Sequence, residues 1–148
     1  MSALPEMTVG LSFGAARMED LTKVMSLVDA ECRRAGVPEE AAFAVRLAVE
    51  EAFTNIVLHG YGERPGPIRF ELGAGGDRVA VTLVDEAPLF EPSQAPPPDL
   101  ESEWAERRAG GLGWHLVREL MDEVHHRPGP GRGNVLTLIK RLPGSASR

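Results

Sequence analysis

Apolar residues recur along this chain with two clear periods, and each period points to a different element. Over residues 7–13 apolar and polar positions alternate loosely, which predicts a first strand. From Met18 the spacing becomes three and four, through Leu21, Val24, Met25, Val28 and Cys32, which predicts an amphipathic helix closed by Gly36. Pro38 opens a second helix that runs to about Gly60. Proline fits the first helical turn, where its missing N–H has no bond to lose, and Glu39 and Glu40 favour the positive end of the helix dipole. The period then falls to two. Ile68, Phe70 and Leu72 alternate with Arg69 and Glu71, and Val79, Val81 and Leu83 alternate with Ala80, Thr82 and Val84. These are two strands, the second apolar enough to be covered on both faces. The short glycine-rich link between them, residues 73–77, predicts a hairpin.

Residues 87–109 break the pattern with Pro88, Pro92, Pro96, Pro97 and Pro98, leaving space for one short helix over 101–108. A loop of this length in a small domain suggests a lid, expected over 92–109. Gly110, Gly111, Leu112 and Gly113 then lead into a third helix with apolar positions at Leu116, Val117, Leu120, Met121 and Val124. A glycine-rich turn at 129–133 precedes a last strand over 135–142, and 143–148 reads as a disordered tail. Three helices and four or five strands, mostly joined as hairpins, predict an α+β two-layer sandwich. Its sheet is mixed but mostly antiparallel, with the helices on one face.

Composition narrows the function classes. A chain of 148 residues suggests one domain, over 1–142, large enough to bury a core without disulfides or metals. The net charge of −6 argues against direct nucleic-acid or anionic-membrane binding. No long uncharged apolar run suggests a transmembrane helix, and residues 1–10 lack a secretory pattern. The single cysteine, Cys32, has no internal disulfide partner and sits at a core position, so a cytoplasmic location is expected.

Three places carry chemistry. Most of a wheel of the second helix is apolar, with Phe43, Val45, Leu47, Val49, Phe53, Ile56 and Leu58, while Arg46, Glu50 and Thr54 share one narrow solvent arc, with Arg46 and Glu50 spaced to pair. Glu51 and Asn55 fall elsewhere, beside small and apolar positions, where a carboxylate needs a partner or a purpose. A buried Glu–Asn pair satisfied by backbone or water is the plain alternative. Asp85 ends the strand that starts at Val79 and opens a loop, a position suited to a ligand and equally to an ordinary turn. The 110–113 glycine cluster exposes backbone N–H groups at a helix start, where phosphate is attracted, and Arg107 and Arg108 lie just before it. We expect Arg108 to touch a phosphate. His125 and His126 are adjacent and unsupported by other ligand types, so a structural role is expected for them. Trp104 and Trp114 read as packing or lid residues.

Taken in order, these features resemble a known family. Glu51-Ala-Phe-Thr-Asn55-Ile-Val-Leu-His59-Gly60-Tyr61 resembles the N box of the GHKL (histidine kinase-like) ATPases, the superfamily of gyrase, histidine kinases and MutL repair proteins. Its His-Gly-Tyr ending is similar to the anti-sigma-factor serine kinases. Asp85-Glu86-Ala87-Pro88 resembles the first glycine box, Gly110-Gly111-Leu112-Gly113 the second, and residues 133–138 the last family strand. The resemblance covers about residues 7–142 and implies a Bergerat-type ATP-binding fold. It also implies roles. Asn55 would ligate Mg²⁺, Glu51 would act as general base, and Asp85 would accept the adenine amino group. Gly110, Gly111 and Gly113 would wrap the phosphates, with Ala87, Leu112 and Thr137 among the nucleotide-contacting positions. Ala87 departs from the glycine usual there, which puts ATP affinity in question more than fold. The implied activity is a protein-serine kinase that phosphorylates a STAS-type anti-sigma antagonist, with a sigma factor as a further partner and homodimers common in the family. A non-catalytic ATP-dependent switch is the second reading. A histidine-kinase catalytic domain is the third, and is disfavoured because no dimerisation helices precede the boxes.

Overall fold

The computed structural model describes residues 8–89 and 111–143. Arg108, Gly110, Trp104, the expected lid over 92–109 and the expected tail beyond Pro143 lie outside the described residues. Strand β1 spans Val9–Phe13, helix α1 Leu21–Arg34, helix α2 Glu39–Thr54, strand β2 Ile68–Gly75 and strand β3 Arg78–Asp85. Helix α3 spans Gly111–Leu120, strand β4 Glu123–Pro128 and strand β5 Asn134–Arg141. The five strands form one sheet in the order β1-β2-β3-β5-β4, and every neighbouring pair is antiparallel. Among the described residues no helix is long and apolar enough to cross a membrane.

The local signals explain the boundaries. At the end of α1, Gly36 takes a φ of 69°, while its N–H bonds to Arg33 O and that of Val37 bonds to Cys32 O. This is a Schellman closure, which glycine makes without steric strain. Pro38 sits as the N-cap of α2, and its carbonyl accepts the first helical bond from Ala42 N–H. Along α2, the buried positions Ala41, Ala44, Ala48 and Ala52 recur every three or four residues. Small side chains at that spacing let α2 sit between α1 and α3, and it packs against both.

The three α-helices of the described residues contribute to one core. Val24 and Val28 of α1, Val45, Val49 and Phe53 of α2, and Trp114 and Val117 of α3 meet Ile68, Phe70 and Leu72 of β2. Val81 and Leu83 of β3 and Leu136 and Leu138 of β5 complete it. Strand alternation does the sorting: Phe70 and Leu72 are buried while Arg69 and Glu71 are exposed.

Three expectations are corrected. Arg46 pairs with Asp29 of α1 at 3.1 Å, across the helix–helix seam, rather than with Glu50. Phe43 and Leu58, counted with the apolar wheel, are 59% and 49% exposed. Val124 belongs to β4 and not to α3, because the Asp122 N–H leaves the helix to bond Ile139 O, and the Asp122 carboxylate takes the Arg141 N–H at 2.6 Å.

Phe53 joins the two layers: it is fully buried, with its ring set edge-on to Phe13 of β1 at 6.1 Å between centroids. Phe53→Ala is expected to lower the unfolding free energy by about 3–5 kcal/mol, as buried aromatic truncations do. Urea unfolding of the two proteins checks this, and a loss under about 1 kcal/mol would mean the site collapses around the gap.

Candidate functional site

The site begins where α2 changes pitch. After Thr54 the chain widens into a π-helical segment, Asn55–Tyr61, closed by a bond from Gly62 N–H to Val57 O, five residues back. Such wide turns are uncommon and gather at functional positions. Glu51 and Asn55 lie one turn apart on the same face of the helix, and both are half-buried. Burial pushes the Glu51 carboxyl above its ordinary range, and the adjacent Glu50 charge pushes it the same way.

The wide segment ends in a joint with the far end of β3. The Tyr61 hydroxyl donates to Pro67 O at 2.5 Å and accepts the Glu86 N–H at 2.7 Å. Gly60 lies flat on Ala87, so a Cβ at position 60 would come within 2.9 Å of the Ala87 methyl. No non-glycine residue among those described has positive φ, so Ala87 carries no backbone strain where the family usually has glycine. Its methyl instead occupies the space over Gly60.

This joint carries Asp85, which is 4% exposed. Its Oδ1 accepts the Asn134 amide at 2.9 Å and the Ala87 N–H at 2.9 Å. Burial raises the Asp85 carboxyl, and the Asn134 amide and Ala87 N–H draw it partly back. An ionised carboxylate offers about four lone-pair sites, so these donors leave it able to accept another. Gly133, at φ 86°, is forced by crowding: a Cβ there would overlap the Asp85 carbonyl oxygen.

Helix α3 supplies the third part. Gly111 and Gly113 lie in its first turn, where backbone N–H groups have no partner within the helix. The helix packs on α2, the element that carries Glu51 and leads into Asn55. Trp114 is buried in the core, as a packing residue would be.

The fold thus puts Glu51, Asn55, Asp85, Ala87 and the 111–113 backbone on elements joined along the helix-covered side of the sheet. Thr137 is not among them. It pairs in register with Thr82 on the opposite face, the side of the exposed Glu71. The polar residue of β5 facing the site is Asn134, three positions earlier, in register with Asp85. An odd separation along a strand reverses the face. Sequence reasoning missed Asn134, although it stands in the 133–138 strand motif next to the glycine that the Asp85 carbonyl crowds.

Comparison with known proteins gives the family and the fold. A family model described as histidine kinase-like ATPase domain matches residues 14–140. The anti-sigma F factor of Pasteuria penetrans is 33% identical over 104 residues, 68% of this chain and 69% of that protein. Serine-protein kinase RsbW of Listeria monocytogenes is 35% identical over 96 residues, 62% of this chain and 61% of that one. Among solved structures, the RsbU and RsbW domains of Rv1364c from Mycobacterium tuberculosis share the fold, with a TM-score of 0.62 at 20% identity. The match covers 90% of this chain and 32% of that one, so the chain spans about a third of that protein.

Two expectations arise from the geometry. Gly60→Ala is expected to destabilise by about 1–3 kcal/mol through overpacking, and the added change Ala87→Gly to recover much of that. Thermal unfolding of the single and double variants checks this; no recovery would mean that the Ala87 methyl is not the obstacle. The second concerns Glu51, whose raised pKa favours its protonated form in the folded state. Its contribution to stability is full below about 4.3, the unfolded value, and is lost as pH rises through the folded one. Glu51→Gln should therefore gain on the wild type as pH rises above the unfolded value. Urea unfolding across that range reads the difference, and an unchanged gap would count against the burial of this carboxylate.

Proposed function

Because the chain belongs to the histidine kinase-like ATPase domain family, we propose that it is an ATP-binding anti-sigma regulatory factor that phosphorylates a serine of a partner protein. The partner class is a STAS-type antagonist, with a sigma factor as the alternative partner in a switching pathway. The names of the anti-sigma F and RsbW relatives support the regulatory and kinase parts of this reading. The observation that carries it is the placement of Glu51 in the last turn of α2 and Asn55 one turn later, at the start of the wide segment, joined through Gly60 and Tyr61 to the loop after Asp85.

The residues suit Mg²⁺ and ATP. Among the described residues no three His, Cys, Asp or Glu side chains gather, so a hard cation would rely on Asn55 and nucleotide phosphates rather than on a protein cage. Asp85 would accept the exocyclic amino group of adenine with the acceptor capacity its neighbours leave. The Gly110, Gly111 and Gly113 backbone, with Leu112 between them, would receive phosphate oxygens, and Arg108 would add charge there. When bound, Mg²⁺ would neutralise charge on the phosphates. Glu51 would take the proton from the partner's serine hydroxyl as it attacks. The same burial that raises its pKa makes it a stronger base than a solvated glutamate. Phosphoryl transfer asks mainly for positioning and charge neutralisation, which fixed backbone donors and a rigid helix supply.

The test is label transfer from γ-labelled ATP to purified STAS-type antagonists, together with unfolding in Mg²⁺ and ATP. Wild type is expected to gain about 2.7 kcal/mol at a hundred times its dissociation constant. Asn55→Ala should lose that gain. Glu51→Ala should keep it while losing transfer by about 10²–10⁴-fold. Transfer undiminished in Glu51→Ala would remove Glu51 as the base. Nucleotide-dependent partner binding without transfer in wild type would leave the non-catalytic switch.

A further inference from the structure

Asp85 is held by a chain of side chains that crosses three strands. Asp85 ends β3, Asn134 starts β5 and His126 lies on β4, and these strands are neighbours in the order β3-β5-β4. His126 Nε2 is 2.7 Å from Asn134 Oδ1, and Asn134 Nδ2 is 2.9 Å from Asp85 Oδ1. We propose that His126, acting through Asn134, is a positioning residue that fixes the Asp85 carboxylate and so sets purine selectivity. The proposal rests on the reading of Asp85 as the adenine contact.

The direction of each bond follows from chemistry. An amide oxygen only accepts, so His126 Nε2 must carry the proton and donate. Asn134 Nδ2 faces three acceptors, Asp85 Oδ1 at 2.9 Å, Pro88 O at 3.2 Å and Ala87 O at 3.5 Å. Turning the amide over would press its oxygen against a carboxylate and two carbonyls. The three acceptors therefore set the amide orientation, and that orientation sets the imidazole tautomer.

Burial makes that orientation matter. Asn134 is 6% exposed, so no bulk water stands ready to replace a lost partner. With Oδ1 fastened by Asn134 and Ala87, the carboxylate plane is set and its remaining acceptor direction is defined. A fixed acceptor favours a purine with an amino donor over one without it, because a site built for a hydrogen bond rejects the analogue that lacks it. Removing the imidazole takes that donor from the Asn134 oxygen and loosens the carboxylate two bonds away. A residue that merely filled space on β4 would not change which purine is preferred.

The experiment compares ATP with purine riboside triphosphate, which lacks the 6-amino group. Dissociation constants with Mg²⁺ are measured for wild type, Asp85→Ala, His126→Leu and His126→Gln. Wild type is expected to prefer ATP by about 10–100-fold, the range of a hydrogen bond to a charged group. His126→Leu should shrink that preference by about three- to tenfold, and His126→Gln should restore most of it, since its amide can donate from near the Nε2 position. A His126→Leu protein whose affinities fall equally for both nucleotides, leaving the ratio intact, overturns the proposal. If wild type shows no preference, or Asp85→Ala keeps it, the adenine assignment itself fails and the proposal with it, a separate result. Nitrogen-15 spectra of wild-type imidazole at neutral pH give a check that needs no variant. A protonated Nε2 at His126 is expected, and an unprotonated one overturns the relay.

Discussion

A carboxylate buried at the end of a central strand constrains everything around it. Asp85 gives up most of its water, and an unpaired charge in such a place would be strongly unfavourable. The chain meets that demand from three directions: the N–H of Ala87 two residues on, the amide of Asn134 across the ladder, and His126 behind that amide. The surroundings adjust to suit. Gly133 adopts a left-handed backbone beside the Asp85 carbonyl, and Arg132 reaches back to Glu86 at 3.1 Å. What reads in one dimension as an aspartate at a turn is the centre of a small polar network at one end of the sheet.

The second helix serves two masters. Its alanines and valines hold it against the sheet and between its neighbours, while one line of its surface carries Glu51 and Asn55. Burial holds the Glu51 side chain in place, and it also raises its pKa. The same packing thus fixes position and tunes proton affinity, two properties usually discussed apart. Functional groups mounted on a regular element are held more tightly than groups mounted on loops.

Much of this was legible in the sequence, for identifiable reasons. Strand alternation at Ile68, Phe70 and Leu72 and the three-and-four spacing from Leu21 to Cys32 record which side each residue presents, so layers and helices followed. The two-layer α+β architecture stands, and the sheet has the larger of the expected strand numbers, with every pairing antiparallel. Glu51 stood out because a helix wheel separates it from Glu50. What failed was information that lies between elements. Arg46 had an intrahelical partner at the right spacing, yet Asp29 of another helix was nearer. Val124 suits both a helical and an alternating pattern, and only the Asp122 bond to Ile139 decides. Thr137 against Asn134 is a question of strand register, which a single strand's pattern does not contain. The change of pitch at Asn55 leaves no composition signal at all.

That change of pitch has a consequence for chain length. A wide turn holds one residue more than the α-helical turn it replaces, and each residue added or removed rotates the next part of the helix by about 100°. Tyr61 reaches Pro67 and Glu86 only from its present azimuth. Between Asn55 and Tyr61 the structure therefore constrains the length of the chain as well as the side chains at Gly60 and Tyr61. Along this stretch the residue count is itself a structural element: a single lost or gained codon would turn the tyrosine away from the strand it fastens.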